Sequence, residues 1–133
     1  MAFAGMNYLA VLVAAVAAYV WGAAYYMTLS KQWLAAVGIA QPNRSAAPFI
    51  ISFVALVVMA FVLAGSIGHL GPGNVSIKNG MISGIIIWAG FVATTVVVNN
   101  AYPGRKYMLS IIDGIHWLGV LVIQGAVIGA MGV

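Results

Sequence analysis

The chain contains no cysteine and no glutamate, and a single aspartate, Asp113, is its entire acidic complement. The missing cysteine excludes disulfides, thiolate metal sites, iron–sulfur ligation and cysteine nucleophiles together. With one carboxylate and two histidines, His69 and His116, no four-ligand metal site is expected within one subunit, and no metal or cofactor is assigned. Charge is scarce altogether: charged residues make up 5% of the 133 positions, against 65% hydrophobic ones. So apolar a chain cannot hide its surface from water by folding, and lipid must act as its solvent. The five basic residues, Lys31, Arg44, Lys78, Arg105 and Lys106, give a net charge of +4 but stand between the apolar runs. That is a topology signal, too sparse for a phosphate-tracking stripe, so no nucleic-acid partner is expected.

What the sequence does have is four long apolar runs, at residues 8–29, 48–70, 80–99 and 108–131. Each approaches the roughly 20 residues with which a helix crosses a hydrocarbon core about 30 Å thick. The first is read as a retained helix and not a leader, because residues 1–7 hold no Lys or Arg and the run exceeds a signal core of about 7–15 residues. Lys31 and Trp33 follow it at once, a snorkelling cation and an amphipathic indole suited to the headgroup level, and residues 31–39 suit a short interfacial helix. The connector continues through Gly38, Pro42, Asn43 and Arg44. Pro48 falls in the first turn of the second run, where its missing amide costs nothing, and Gly71-Pro72-Gly73-Asn74 ends that run. Pro103 and Gly104 break the pattern after the third. Short connectors make successive helices antiparallel neighbours. The expected fold is all-α: one domain over residues 1–133, an integral-membrane four-helix up-down bundle.

Lys31, Arg44, Arg105 and Lys106, with Trp33, form the interfacial anchors of one side, whereas Lys78 and the N-terminal amine lie on the other. The excess of Lys and Arg marks the cytoplasmic side, so both termini are expected to face outward. Small residues recur at spacing four: Ala10, Ala14, Ala18 and Gly22 in span one, Ala60, Ala64 and Gly68 in span two, Gly80 and Gly84 in span three, and Gly125 and Gly129 in span four. Such rows let backbones approach closely in lipid. Most are expected to serve the bundle, and the Gly125/Gly129 row is the expected contact with another subunit.

The polar residues of the spans gather at one depth, on the cytoplasmic side: Tyr25, Tyr26 and Thr28 in span one, Asn99 and Asn100 in span three, Asp113 and His116 in span four. Asp113 and His116 are three apart and share a helical face. An ionisable group inside a span usually meets a partner or a water-filled cavity, which makes this cluster a candidate proton, ion or ligand site. The plainer reading has Asp113 anchoring the start of span four through free backbone amides and the counter-charge of Arg105 or Lys106. It also has a neutral His116 hydrogen-bonded to Asn99, Asn100 or a tyrosine. His69 and His116 fall near opposite ends of the bundle, on the order of 20 Å apart, and cannot share an ion. Ser110, Asp113 and His116 imitate a triad in order only, since a triad is defined by geometry and an oxyanion pocket. Gln124 lies mid-span and needs a hydrogen-bond partner on another helix, another subunit or water. Around Trp88 and Trp117 a pigment, quinone or lipid contact and plain packing stay open.

Taken in order, several motifs bear a resemblance: Asn7-Tyr8-Leu9-Ala10-Val11, Gly22 before Tyr25-Tyr26, Lys31-Gln32-Trp33, Gly90-Phe91-Val92-Ala93, Asn99-Asn100, and Asp113-Gly114 with Trp117. The chain resembles the small bacterial membrane family catalogued as domain-of-unknown-function 1761, differing after Tyr26, where Met27-Thr28-Leu29-Ser30 is shorter than the Ser-Pro-containing segment usual there. The resemblance implies a four-span protein of the bacterial inner membrane, which would make both termini periplasmic, and it carries over no catalytic residue. The function expected is that of a non-enzymatic structural or accessory membrane protein, a homo-oligomer or a subunit of a larger integral complex. The alternative is a small transporter or channel with its polar site at Asp113 and His116.

Overall fold

Asn7 starts the first helix twice over: its side-chain oxygen accepts from the Ala10 amide at 3.1 Å, and its side-chain nitrogen donates to the Met131 carbonyl, also at 3.1 Å. The cap thus satisfies one free helix-end amide and ties the two chain ends together. The computed structural model describes residues 3, 5–42 and 44–133; Asn43 lies outside the described residues. Helix α1 (Tyr8–Thr28) is followed almost directly by α2 (Ser30–Val37), which ends at Gly38 with φ +86°, a left-handed position that favours glycine. Helix α3 (Ala47–Gly68) carries Pro48 in its first turn. Helix α4 (Ile77–Ile87) opens with Ser76 capping the Asn79 amide, runs into a π turn (Trp88–Val92) and continues as α5 (Ala93–Ala101). Helix α6 (Tyr107–Met131) completes the chain.

Four of these segments, Tyr8–Thr28, Ala47–Gly68, Ile77–Ala101 and Tyr107–Met131, are long and apolar enough to cross a membrane. The chain is an all-α, up-down, four-helix membrane bundle with a short helix, α2, at the end that carries Lys31, Arg44, Arg105 and Lys106, called here the basic end. The third span begins at Ile77, ahead of the residue 80 expected from its apolar run, because Ser76 supplies a cap that hydropathy does not register.

The π turn is the feature that hydropathy did not foreshadow. The Ala93 amide reaches back five residues to the Trp88 carbonyl, while the Thr94 and Thr95 hydroxyls donate to the carbonyls of Gly90 and Phe91. One inserted residue rotates everything after it by about 100° around the helix, so α5 does not continue the face of α4.

Helix α6 packs against every other element, most extensively against α4 and α1, whereas α5 touches only α6 and the π turn. The α4–α6 seam is made at backbone level. A Cβ on Gly80 would collide with the Gly125 carbonyl, one on Gly125 with the Gly80 carbonyl, one on Gly84 with the Leu121 carbonyl and one on Gly129 with the Ser76 carbonyl. Every fourth residue of one helix meets every fourth of the other, in opposite directions. This corrects the expectation that Gly125 and Gly129 contact another subunit: both are buried inside the chain against α4. In lipid, apolar side chains gain little by leaving the acyl chains, so the closest backbone approach available wins. Ala14 and Ala18, fully buried, serve the same purpose where α1 meets α3 and α6, as do Ala60 and Ala64. Replacing Gly125 with Val forces two backbones apart and should lower the unfolding free energy by about 2 kcal/mol or more. The check is the SDS or thermal unfolding midpoint of the full chain, with Gly90→Leu, where nothing lies within 4 Å of an added Cβ, leaving that midpoint in place.

Candidate functional site

At the basic end, one stretch of α6 is gripped by aromatic side chains from two other helices. The Tyr25 hydroxyl donates to the Ile112 carbonyl at 2.6 Å, the Trp21 indole to the His116 carbonyl at 3.0 Å, and the Trp88 indole, from the π turn, to the Gly114 carbonyl at 2.8 Å. Each carbonyl has a second lone pair beyond its place in the helix, so an aromatic donor can bind without breaking the ladder. The Tyr26 hydroxyl, between these, donates to Asp113 Oδ1 at 2.6 Å. A spacing of four on α1 puts Trp21 and Tyr25 on one face, and Gly22 lies beside them for a steric reason. A Cβ there would approach His116 Nε2 to 2.9 Å, so a larger residue would press the ring out of place.

His116 is buried, at 7% exposure, within an aromatic cluster: Tyr26 at 4.7 Å, Trp117 at 4.6 Å and Tyr25 at 5.9 Å between ring centroids. Its Nδ1 has no hydrogen-bond partner among the described residues. The expectation of a bond from His116 to Asn99, Asn100 or a tyrosine is therefore corrected to tilted ring contacts with the two tyrosines. Asn100 instead donates to Ser110 at 3.1 Å, one turn nearer the loop, and Asn99 is exposed on the outer face of α5. Of the seven polar residues expected together, Asp113, His116, Tyr25 and Tyr26 meet directly, Asn100 borders them through Ser110, Thr28 bonds back to the Ala24 carbonyl of its own helix, and Asn99 stands apart.

The expected anchoring of Asp113 also changes in detail. Helix α6 begins at Tyr107 with no acidic residue in its first turn, so Asp113 lies beyond the free amides. Lys106 donates to the Ala35 carbonyl of α2 at 3.1 Å, and it is Tyr26 that holds the carboxylate. Trp33, an expected interfacial anchor, packs against Tyr26 at 6.0 Å and joins Ala36, Leu109 and Ile112 in a small core between α2 and α6. Gln124 meets its requirement across the bundle, donating to the Leu56 carbonyl of α3 at 3.0 Å, while its Oε1 stays unpaired among the described residues. No group of three or more potential metal-ligating side chains occurs among the described residues.

Sequence reasoning missed Trp21 and Trp88 as donors. The first was legible in its spacing from Tyr25, and the second in its spacing of four from Gly84 and eight from Gly80, which keeps it on the face that α4 turns toward α6.

These features define a polytopic helical membrane protein with a polar, aromatic-rich knot at one end. The family model described as "Protein of unknown function (DUF1761)" matches residues 9–129, and the chain belongs to that family. No curated protein and no solved structure matches it.

Tyr26→Phe removes the donor to Asp113 while keeping the ring. It should lower stability by about 0.5–2 kcal/mol, measured by SDS unfolding of the full chain in mild detergent.

Proposed function

We propose that the chain is a non-enzymatic accessory protein of the bacterial inner membrane that assembles, with further copies or within a larger integral complex, along the outer face of its third span. The observation that carries this reading is the uneven covering of the spans. Of the most apolar window in Ile77–Ala101, 6% is buried, against 28% to 44% in the other three. Exposed apolar side chains alone would mean little in lipid, but this face also exposes Ala89, Gly90, Thr94, Thr95 and Asn99. Small and hydroxyl-bearing residues are the ones through which helices associate in a bilayer. The glycine rows of α4 and α6 are already engaged with each other, and the Gly90 surface is a small-residue patch outside that seam.

Native-mass measurement in gentle detergent tests the reading. An assembly is expected for the wild-type chain, with Gly90→Leu dissociating it at an unchanged unfolding midpoint. A wild-type particle that is strictly monomeric and travels with nothing else would overturn it.

A second reading, a small transporter or channel working at Asp113 and His116, draws on the unpaired Nδ1 of His116. It requires Asp113→Asn to abolish flux in reconstituted vesicles, and unchanged flux in that variant removes it.

A further inference from the structure

Of the aromatic side chains that donate across helices, Tyr26 differs from the rest in what receives its hydrogen. Tyr25, Trp21 and Trp88 donate to the backbone carbonyls of Ile112, His116 and Gly114, which accept a hydrogen bond but cannot keep the proton. Tyr26 donates to Asp113 Oδ1 at 2.6 Å, a distance over which a proton passes between oxygens, and a carboxylate can hold the proton it is offered. Asp113 is the single acidic side chain of the sequence, so the arrangement occurs once.

Tyr26 is also the junction of a continuous set of ring contacts. Between centroids it lies 5.2 Å from Tyr25, 4.7 Å from His116 and 6.0 Å from Trp33, while Tyr25 lies 5.3 Å from Trp21 and His116 4.6 Å from Trp117. Aromatic rings at such spacings are in or near contact, so an electron vacancy on one indole or phenol moves to the next without leaving the set. It comes to rest on the ring that can also shed its proton, because a neutral radical is better tolerated than a cation radical where the dielectric is low. That ring is Tyr26. Tyr26 in the last turn of α1, Trp33 in α2 and Asp113 in the second turn of α6 are each partly exposed, so the junction is reachable at the depth of the headgroups. A peroxyl radical on an oxidised acyl chain moves toward that same depth, since its oxygens are polar.

We propose that Tyr26 is a one-electron donor to lipid peroxyl radicals, with Asp113 as the base that receives its proton. Tyr26 gives an electron to the peroxyl radical as its phenolic proton passes to Asp113 Oδ1. The peroxide anion so formed takes up the proton from Asp113, which returns to the carboxylate. The O–H bond of Tyr26 breaks and the O–H bond of a lipid hydroperoxide forms, so one hydrogen atom is transferred in all. A neutral tyrosyl radical stays on Tyr26, and the acyl radical chain loses its carrier. Trp33 and Tyr25 widen the target, because an electron lost by either ring is replaced from Tyr26.

The test is electron paramagnetic resonance on the full chain in vesicles of polyunsaturated phosphatidylcholine, with peroxyl radicals made by a lipid-soluble azo initiator and samples frozen during the reaction. A tyrosyl signal is expected, and Tyr26→Phe, which keeps the ring and its contacts, should remove it. Tyr102→Phe and Tyr107→Phe alter the two most exposed tyrosines and should leave it in place. Asp113→Asn keeps an acceptor for the hydroxyl without a base, and should slow radical formation by about tenfold or more. Asp113→Glu keeps the base and should stay nearer the wild-type rate, a difference that a purely structural aspartate would not produce. A wild-type chain without a tyrosyl signal overturns the proposal, as does a signal that survives Tyr26→Phe or follows Tyr102 or Tyr107 instead. Equal rates in Asp113→Asn and Asp113→Glu overturn the part given to Asp113. Unfolding midpoints of the same variants separate a lost radical from a lost fold.

Discussion

Everything in this bundle depends on the backbone of α6 being reachable. In water, helices come together because their apolar faces leave the solvent; in lipid that drive is largely gone, and association rests on close packing and on hydrogen bonds between helices. Helix α6 supplies both. Along its half away from the basic end, Gly125 and Gly129, together with the Leu121 carbonyl, meet α4 backbone to backbone. Along the other half, the carbonyls of Ile112, Gly114 and His116 accept from Tyr25, Trp88 and Trp21. A helix of large side chains all round could do neither, which is why the most connected helix of the chain is also interrupted by small residues.

The two halves are joined through the π turn. An uninterrupted third span would carry the glycine face of α4 along its whole length. The extra residue at Trp88–Val92 rotates α5 off that face, while Trp88, still in register with Gly80 and Gly84, meets Gly114, and Gly90 faces outward with nothing near it. One local departure from helical geometry therefore separates the face that grips α6, through the glycines and Trp88, from the freed surface of the third span. The Thr94 and Thr95 hydroxyls, bonded four residues back, support the carbonyls that a wider turn leaves less well satisfied.

Much of the architecture was legible because span length, caps and turn residues act locally. Pro48, Gly38 and the Gly71-Pro72-Gly73 turn punctuate the chain as their chemistry dictates, and the alanine row of α1 packs inward as its spacing implies. The partner of each row was not legible. Spacing says that Gly125 and Gly129 can meet a backbone, but whether it belongs to the same chain depends on which helix stands opposite, and that is a property of the whole bundle. The candidate site divides in the same way. Asp113 and His116 share a face by arithmetic alone, while the choice of Tyr26 over Lys106 as the partner of the carboxylate is made by α2, which draws the lysine to the Ala35 carbonyl.

The polar groups of α6 also differ in how completely the bundle answers them. Asp113 receives a hydroxyl, and Gln124 finds an acceptor for its nitrogen, yet Gln124 Oε1 and His116 Nδ1 are left unpaired in buried positions among the described residues. A fold that needed only apolar packing would place leucine at both positions and lose nothing in lipid, because an unsatisfied buried polar atom is costly there. Their presence means that the interior along α6 was not built for packing alone. Asp113, Trp117 and Gln124 share one stripe of α6, which meets α1 through Tyr26 and α3 through the Leu56 carbonyl. The chain thus brings its single side-chain carboxylate and a cluster of aromatic rings to the same place, while the glycine seam of α4 and α6 holds the rest of the bundle closed.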